Sequence, residues 1–281
     1  MPFLATMQGR LVPPEGEHFQ SFPRVRWRDE FAFAAQAGLD GIEWIFDAYG
    51  ENTNPLASDT GILEMRTLSE QTGTAIRSLC ADYFMDHPFL RSTERECTEL
   101  IQKMRWLISR CNLLGIGRIV VPFVDKSRIE TESETAEVLS ILQTLLPTAD
   151  SYQVELHLET SLAPERFAAL LNRCAHRMLR VNYDSGNSAS LGYCAAEEFA
   201  AYGHRIGSVH IKDRLHCGGT VPPGTGDADF DAVFNGLASL NYSGDYVLQI
   251  ARKQPGKELE WISQNRAWLT EQLGGAARCG R

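Results

Sequence analysis

The stretch VELHLETSLAPERFAALLNRCAHRMLRVNYDSGN (154–187) decides the fold class. Its first seven residues, and those from Leu179 onward, are short apolar runs that end in polar side chains, as buried strands often do. Between them, the apolar residues of PERFAALLNRCA recur at three- and four-residue steps, which predicts a helix. A strand, a helix and a second strand in this order are typical of an α/β protein with a parallel sheet.

The same unit recurs along the whole chain. Eight candidate strands alternate with helical segments: FLATMQGR (3–10), GIEWIF (41–46), AIRSLCADY (75–83), GRIVVPFV (117–124), VELHLET (154–160), LRVNYDSGN (179–187), IGSVHIKD (206–213) and YVLQI (246–250). Eight such units in 281 residues predict a single-domain (β/α)8 TIM barrel over residues 1–273, with 274–281 as a flexible tail. A doubly wound open sheet is disfavoured because no GxGxxG follows the first strand.

The composition of the chain limits the classes of molecule that it is expected to bind and its expected location in the cell. The net charge of −9 disfavours nucleic acid and acidic membranes, so a small soluble molecule is the expected partner. Seven cysteines without CxxC spacing indicate reduced thiols rather than a disulfide framework. No apolar run approaches the roughly 20 residues that span a bilayer, and MPFLATMQGR does not have the layout of a signal peptide. A cytoplasmic location is expected.

Polar residues collect where a barrel places its active site, at the carboxyl ends of the strands. Glu159, Asp184 and His210 end three consecutive candidate strands, so the fold would bring them around one point. Two carboxylates and an imidazole suit a divalent cation with positions open for substrate oxygens. Each residue alone has an ordinary alternative: a helix cap, an Asx turn or a core histidine.

Four ordered motifs carry a family resemblance: LHLET (156–160), NYDSGN (182–187), VHIKD (209–213) and PPGTGDADFDAVFNGLASLNYSGDYVLQ (222–249). They resemble the xylose isomerase-like TIM barrels, and within them the sugar-phosphate isomerase/epimerase group, above all the L-ribulose-5-phosphate 3-epimerases, also called hexulose-6-phosphate isomerases. The resemblance implies one divalent ion, Mn2+, Mg2+, Co2+ or Zn2+, held by Glu159, Asp184, His210 and a ligand on the last strand. That fourth ligand is a glutamate in the family, and Gln249 stands there in this chain.

Gln249 changes the expected chemistry. In the family, the first and fourth ligands also act as the two bases that move a proton through an enediolate. An amide oxygen can bind a metal, but an amide cannot act as a base, so Glu159 is the expected catalytic base. One base suits aldose–ketose isomerisation better than two-base 3-epimerisation. A dehydratase stays open, because the same enediolate can expel a β-hydroxyl group.

Further polar residues are candidates for substrate binding: Glu43, Lys212, Arg10, Arg252 and Asn187. The resemblance implies that Glu43 faces substrate hydroxyls, whereas the alternative is a buried, paired carboxylate. Lys212 lies two residues after His210, on the same side of the strand, and could meet a phosphate or pair with a carboxylate. Arg10 and Arg252 follow the first and last strands. They could bind the anionic end of a substrate, or they could be ordinary surface residues. His157 is expected in the core rather than as a ligand.

Two long segments rich in glycine and proline are expected near the pocket. GGTVPPGTGDADF (218–230) is not a P-loop, because it lacks the Gly-Lys-Ser/Thr ending. RLVPPEGEHFQSFPRVRW (10–27) is expected to fold over the site or to contact a neighbouring subunit. Four aromatic residues would supply apolar walls for a sugar or a partner surface: Phe19, Phe22, Trp27 and Trp44.

The function expected from these features is metal-dependent isomerisation or epimerisation of a sugar or sugar phosphate. A repair endonuclease of the endonuclease IV type is disfavoured, because that class uses more metal ligands and binds a polyanion. A non-catalytic sugar-binding barrel, with Gln249 marking a degenerate site, is the remaining alternative. The resemblance also implies a possible homodimer or homotetramer.

Overall fold

Eight parallel strands close into a barrel in the computed structural model, which describes residues 2–16 and 19–279, with side chains up to Gly275. The barrel strands are β1 (Leu4–Met7), β2 (Gly41–Ile45), β3 (Ala75–Cys80), β4 (Arg118–Phe123), β5 (Glu155–Thr160), β6 (Leu179–Asp184), β7 (Ile206–Ile211) and β10 (Asp245–Leu248). A small hairpin, β8 (Asp213–Arg214) with β9 (Thr220–Val221), follows β7.

The barrel closes between the first and the last strands. Thr6 in β1 is in register with Ile42 of β2 on one side and with Leu248 of β10 on the other. Around the ring the strands follow the order β1, β10, β7, β6, β5, β4, β3, β2. The predicted (β/α)8 TIM barrel and its eight strands are confirmed. All strand ends that were expected to carry the site lie at the same end of the barrel, because parallel strands share one direction.

The helices surround the barrel: α1 (Asp29–Gln36), α2 (Asp59–Thr72), α3 (Tyr83–Asp86), α4 (Glu94–Leu114), α5 (Glu132–Tyr152), α6 (Pro164–Arg173), α7 (Ser185–Leu191), α8 (Ala195–Tyr202), α9 (Phe230–Ser239) and α10 (Glu258–Cys279). Sequence signals explain several of their ends. Thr93 with Glu96 forms a capping box at the start of α4. Gly73 and Gly115 end α2 and α4 in the left-handed conformation, which glycine adopts without steric cost.

The boundaries of two predicted segments differ from the structure. The strand expected over 179–187 ends at Asp184. The Asp184 side chain caps the start of α7, because its Oδ1 accepts a hydrogen bond from the Asn187 backbone N–H at 2.8 Å. Gly186 is needed there, because a Cβ atom would lie 2.6 Å from Cγ of Lys212. The expected tail begins inside α10, which continues to Cys279, and its last two residues, 280 and 281, lie outside the described part of the chain.

Three of the four expected wall aromatics lie in the core instead. Phe22, Trp27 and Trp44 are at most 2% exposed, and the first two each pack against the Trp44 ring at centroid distances of 5.7 Å. Their contacts hold the second half of the segment that follows β1, because large buried aromatic side chains dominate packing energy. Phe19 alone is exposed, at 48%. Residues 17 and 18 of this segment lie outside the described residues.

Two further observations concern the setting of the protein. Within residues 2–16 and 19–279, no helix combines the length and hydropathy needed to cross a membrane. The cysteines with described side chains are free thiols; Cys80, Cys111 and Cys174 are buried, whereas Cys194 and Cys217 are exposed.

Candidate active site

Three ligand-type side chains converge at the carboxyl ends of β5, β6 and β7. Glu159, Asp184 and His210 each offer an atom within 4.8 Å of the others. His210 Nδ1 lies 3.2 Å from Glu159 Oε2 and 3.9 Å from Asp184 Oδ2. All three side chains are buried. The register places Asp184 directly beside His210 on the neighbouring strand. Buried carboxylates around one imidazole form a donor set that suits a divalent cation.

A further carboxylate, that of Glu43, fixes the orientation of His210. Its Nε2–H faces Glu43 Oε1 at 2.6 Å, and both side chains are fully buried. Burial lowers the pKa of His210, but the charges of Glu43 and Glu159, with the hydrogen bond to Glu43, raise it well above its ordinary value. Nδ1 has no partner with hydrogen-bond geometry, although Glu159 Oε2 is close. A histidine held at one nitrogen by a carboxylate and open at the other is the usual form of a metal ligand.

The contact with His210 determines the position of Glu43. It lies beneath His210 as a buried, paired carboxylate and does not line the cavity. Burial raises its pKa, but the charge and hydrogen bond of His210 outweigh this effect, so the pKa of Glu43 is lowered overall. This is the buried, paired carboxylate that the sequence left open as the alternative for Glu43.

Hydrogen bonds to the loop after β1 set the amide orientation of Gln249. Gln20 Nε2 donates to Asp82 Oδ2 at 2.7 Å, so Gln20 Oε1 points the other way and accepts from Arg10 Nη2 at 2.9 Å. The same oxygen accepts from Gln249 Nε2 at 3.0 Å. This leaves Gln249 Oε1 buried without a donor.

An unpartnered buried carbonyl oxygen is costly unless something else binds it. A divalent cation would satisfy both Gln249 Oε1 and His210 Nδ1, each of which is buried without a hydrogen-bond partner. The residues present therefore fit a bound divalent ion.

Two asparagines hold the Glu159 carboxylate. Asn182 Nδ2 donates to Oε2 and Asn187 Nδ2 donates to Oε1, both at 2.7 Å. Asn182 in turn accepts from Ser208 Oγ at 2.6 Å, and Ser208 lies 2.7 Å from His157 Nδ1. His157 is fully buried and lies in the core, as expected, with burial lowering its pKa. The orientation of Glu159 is thus fixed by a polar chain inside the barrel.

A cavity of about 270 Å³ opens beside these groups, and its wall includes Glu159, Asn187, Lys212 and Gln249. Phe19 and Gln20, from the loop after β1, also line it, so this part of the loop lies at the cavity. Larger depressions of about 620 and 510 Å³ lie elsewhere on the described surface. Neither is lined by Glu159, Asp184 or His210, whereas Glu159 lines the smaller cavity.

Two cations face the cavity. Lys212 Nζ lies 3.4 Å from Asp184 Oδ2 and 3.2 Å from Asn187 Oδ1, and Arg214 Nη1 donates to the same Asn187 oxygen at 3.0 Å. Asn187 therefore connects both cations to Glu159. The pairing of Lys212 with Asp184 is the alternative that the sequence left open, and both cations still line the cavity.

The glycine-rich segment after β7 is organised by a buried carboxylate. Asp213 is fully buried and accepts backbone N–H bonds from Gly224, Gly226 and Ala228 at 2.8 to 3.1 Å. Gly226 is required, because a Cβ atom would lie 2.3 Å from Asp213 Oδ1. Gly219, earlier in the same segment, lines the cavity, as expected for a loop at the pocket mouth.

The two arginines considered for an anionic substrate end hold the loop after β1. Arg10 is 3% exposed and donates to the Ile250 and Phe19 carbonyls. Burial, with repulsion from Arg252, lowers the pKa of Arg10 to about 9. Arg252 donates to the Phe19 and Val12 carbonyls. Neither side chain is among those that line the cavity.

A buried glutamate fixes the start of the same loop. Glu30 on α1 is fully buried, and its Oε1 accepts the Gly9 N–H at 2.7 Å and the Leu11 N–H at 3.3 Å. Burial raises its pKa from 4.5 to about 8 despite these bonds. The folded protein therefore keeps this proton over a pH range in which the unfolded chain releases it.

We expect the pH dependence of stability to change in Glu30→Gln. Because the folded pKa is raised, the Glu30 contribution is fully present below about 4.5 and is lost as pH rises through about 8. The wild type should lose up to a few kcal/mol more than Glu30→Gln across this window, because only the wild type has the Glu30 carboxyl group. Urea unfolding at pH 5 and pH 8 measures this difference. Glu70→Gln, an exposed change on α2, is the control; equal slopes in wild type and Glu30→Gln would contradict the assignment.

Sequence reasoning missed three residues of the site. Arg214 continues the two-residue alternation of His210 and Lys212, so a longer reading of that strand could have found it. Asn182 occupies the same alternation two residues before Asp184. Gln20 carried no signal, because it reaches the site from an irregular loop whose path depends on tertiary contacts.

Comparison with known proteins supports the family resemblance. A family model described as "Xylose isomerase-like TIM barrel" matches residues 31–272. L-ribulose-5-phosphate 3-epimerase UlaE of Salmonella heidelberg (strain SL476) is 22% identical over 263 residues, which cover 89% of this chain and 91% of that protein. Inosose dehydratase of Clostridium tetani (strain Massachusetts / E88) is 26% identical over 180 residues, covering 55% of this chain and 60% of that protein.

Solved structures share the fold. The crystal structure of IOLI protein with a binding zinc atom superposes with a TM-score of 0.79 at 18% identity, covering 98% of this chain and 99% of that chain. At this level of identity the similarity establishes the architecture.

Proposed function

This chain belongs to the xylose isomerase-like TIM barrel family, and on that premise we propose that it is a divalent-metal-dependent epimerase or isomerase of a sugar or sugar phosphate. One observation carries the proposal: Glu159, Asp184 and His210 converge within 4.8 Å beside a cavity at the carboxyl ends of the strands. The epimerase named among the relatives acts on a phosphorylated ketose, and this is the substrate class proposed here.

The proposed metal ligands are Glu159, Asp184, His210 and Gln249. A divalent ion at this point would polarise a substrate carbonyl and stabilise negative charge on its oxygen. Glu43 holds the His210 ring in place, and the hydrogen bond from Gln249 to Gln20 presents the Gln249 oxygen rather than its nitrogen. The donor set does not choose between Mn2+, Mg2+, Co2+ and Zn2+.

Glu159 is the proposed base. It would take a proton from the carbon next to the substrate carbonyl, and the electron pair of that C–H bond would form the enediolate double bond. Asn182 and Asn187 keep the carboxylate in one orientation, so little ordering is left for the reaction itself.

Lys212 and Arg214 are the proposed partners of an anionic group on the substrate. Both line a cavity of about 270 Å³, which is at the small end of ligand sites, roughly 300–1,000 Å³. This size suits one monosaccharide rather than a polymer. Asn187, between both cations and Glu159, would connect substrate binding with the base.

Dehydration is a second candidate, supported by the similarity to an inosose dehydratase. The same base and the same enediolate would serve, with loss of a β-hydroxyl group in place of reprotonation. Product analysis separates the two reactions, because dehydration releases water and yields an unsaturated or deoxy product, whereas isomerisation and epimerisation conserve mass.

Metal content tests the site directly. Protein purified without chelator should contain about one divalent ion per chain, and Asp184→Ala should lose it, with Mn2+ affinity lowered at least about 100-fold because a charged ligand is removed. Elemental analysis and calorimetric titration with Mn2+ provide the two readouts. Asp231→Ala, an exposed change at the start of α9, is the control. A wild type that neither contains nor binds a divalent ion would contradict the proposal and favour the non-catalytic sugar-binding alternative.

A further inference from the structure

We propose that Asp82 is the second proton-transferring group of this site and acts on a different face of the sugar from Glu159. The inference rests on the proposed function, since it assumes that Glu159 removes a proton from a sugar carbon. It also explains how a chain with an amide at residue 249 could still invert a carbon centre.

Asp82 lies in the position that such a group requires. It follows β3 by two residues, and its side chain lines the same cavity as Glu159, Lys212 and Gln249. One strand, β4, separates β3 from β5. Neighbouring strands are about 4.8 Å apart, so the two carboxylates enter the cavity from wall positions roughly 10 Å apart. A sugar between them would present different faces to each.

The surroundings of Asp82 suit proton transfer. Gln20 Nε2 donates to its Oδ2 at 2.7 Å, and the Cys80 thiol lies 3.1 Å from Oδ1. Burial, together with the charges of Asp47 and Glu159, raises its pKa to about 6, against the hydrogen bonds from Gln20 and Cys80. A carboxylic acid in this range can both give and take a proton near neutral pH.

The hydrogen bonds of Gln20 explain why residue 249 is an amide when residue 82 is a carboxylate. Gln20 gives its only N–H2 group to Asp82, so its oxygen can meet only donors, which are Arg10 and Gln249. A glutamate at 249 would place a carboxylate against that oxygen. If the Gln20 amide were rotated by 180°, its N–H2 group could donate to a glutamate at residue 249. Its oxygen would then lie against the Asp82 carboxylate instead. The network therefore accommodates one carboxylate, and in this chain it is at residue 82, after β3, rather than at residue 249, after β10.

The proposed step balances as an exchange of protons. Glu159 takes the proton from the carbon next to the carbonyl, the C–H electron pair becomes the enediolate double bond, and the carbonyl π electrons move to oxygen. Protonated Asp82 then gives its proton to the same carbon from the other face, and the carbonyl forms again. Glu159 is left protonated and Asp82 ionised, and proton exchange with solvent restores both. The net product is the epimer.

Deuterium incorporation separates the roles of the two carboxylates. Ketopentoses and ketohexoses, free and phosphorylated, would be incubated in D2O with Mn2+ and the wild type, Asp82→Asn, Asp82→Ser, Asp82→Glu or Asp86→Asn. NMR would follow deuterium next to the carbonyl in recovered substrate and the amount of epimer. Calorimetric titration with Mn2+ would report whether each variant keeps its metal site. Asp86→Asn is the control, because Asp86 is an exposed residue of α3, the short helix that starts directly after Asp82.

The expected result is a split between the two signals. Asp82→Asn and Asp82→Ser should keep deuterium incorporation within about tenfold and lose epimer formation by about 100-fold or more, since Glu159 can still return a proton to its own face. Asp82→Glu should recover part of the epimer formation, and Asp86→Asn should match the wild type.

Three results would overturn the inference. Epimer formation at the wild-type rate in Asp82→Asn would remove Asp82 from the reaction while leaving the proposed function intact. Loss of both signals in Asp82→Asn and in Asp82→Ser, with Mn2+ affinity unchanged, would show that Asp82 acts before the enediolate forms. No deuterium incorporation by the wild type with any of these ketoses would overturn the proposed function, and this inference with it.

Discussion

Glu159→Gln is expected to slow deuterium incorporation next to the carbonyl of a ketose substrate by about a thousandfold. A positioned general base typically contributes 10²–10⁴-fold to a rate, and glutamine has nearly the same shape but cannot take up a proton. Both Glu159 oxygens accept hydrogen bonds from asparagine amides, so the variant also places an N–H2 group against a donor. The loss of the base and the donor–donor contact should both slow the reaction.

Two further variants make this measurement specific. Glu159→Asp keeps an ionisable group and should retain more activity than Glu159→Gln, although the shorter side chain no longer reaches the same position. Glu165→Gln changes an exposed glutamate in the first turn of α6 and should leave the rate unchanged. If Glu159→Gln incorporated deuterium as fast as the wild type, another group would have to be the base.

His210→Leu is expected to lower the free energy of unfolding by about 3 kcal/mol when metal is removed with a chelator. The substitution leaves the Glu43 carboxylate fully buried and without its partner at 2.6 Å. Removing one member of a buried charged pair typically costs 3–5 kcal/mol, because the remaining charge loses both solvent and partner. Urea unfolding with chelator in all samples measures the loss without any contribution from bound metal.

The double variant Glu43→Leu/His210→Leu distinguishes this cause from a general packing defect. Replacing both members of a buried pair by apolar residues is often nearly neutral, so the double variant should recover most of the stability lost in His210→Leu. A packing defect would instead make the double variant less stable than the single one. Neither variant should bind Mn2+, since both lack a proposed ligand.

Much of the fold could be predicted because it depends on local patterns. The apolar runs and the helical periodicity fixed the order of strands and helices, and the count of eight units limited the ways in which they could pack. The boundaries were less accurate where side chains compete with the backbone. Asp184 ends β6 by capping α7, which is a local contact that the apolar pattern of LRVNYDSGN does not reveal.

The candidate metal ligands could be predicted for a related reason. In a parallel barrel the strand order and the carboxyl-terminal position determine which residues meet, so Glu159, Asp184 and His210 followed from sequence spacing and topology alone. The orientation of each side chain could not be predicted in this way. For Glu43 the sequence left open a contact with substrate hydroxyls and a buried pair, and the structure pairs it with His210, because one strand position can serve either the cavity or the layer below it.

The sequence by itself determined the fold class, the convergence of the three ligand residues and the loss of an ionisable group at residue 249, since these depend on residue type and periodic spacing. Only the tertiary structure decided the partners of the irregular loop after β1. Its path depends on the burial of Phe22 and on carbonyl contacts with Arg10, both of which involve residues distant in sequence. That path brings Gln20 between Gln249 and Asp82 and gives the amide at 249 its orientation.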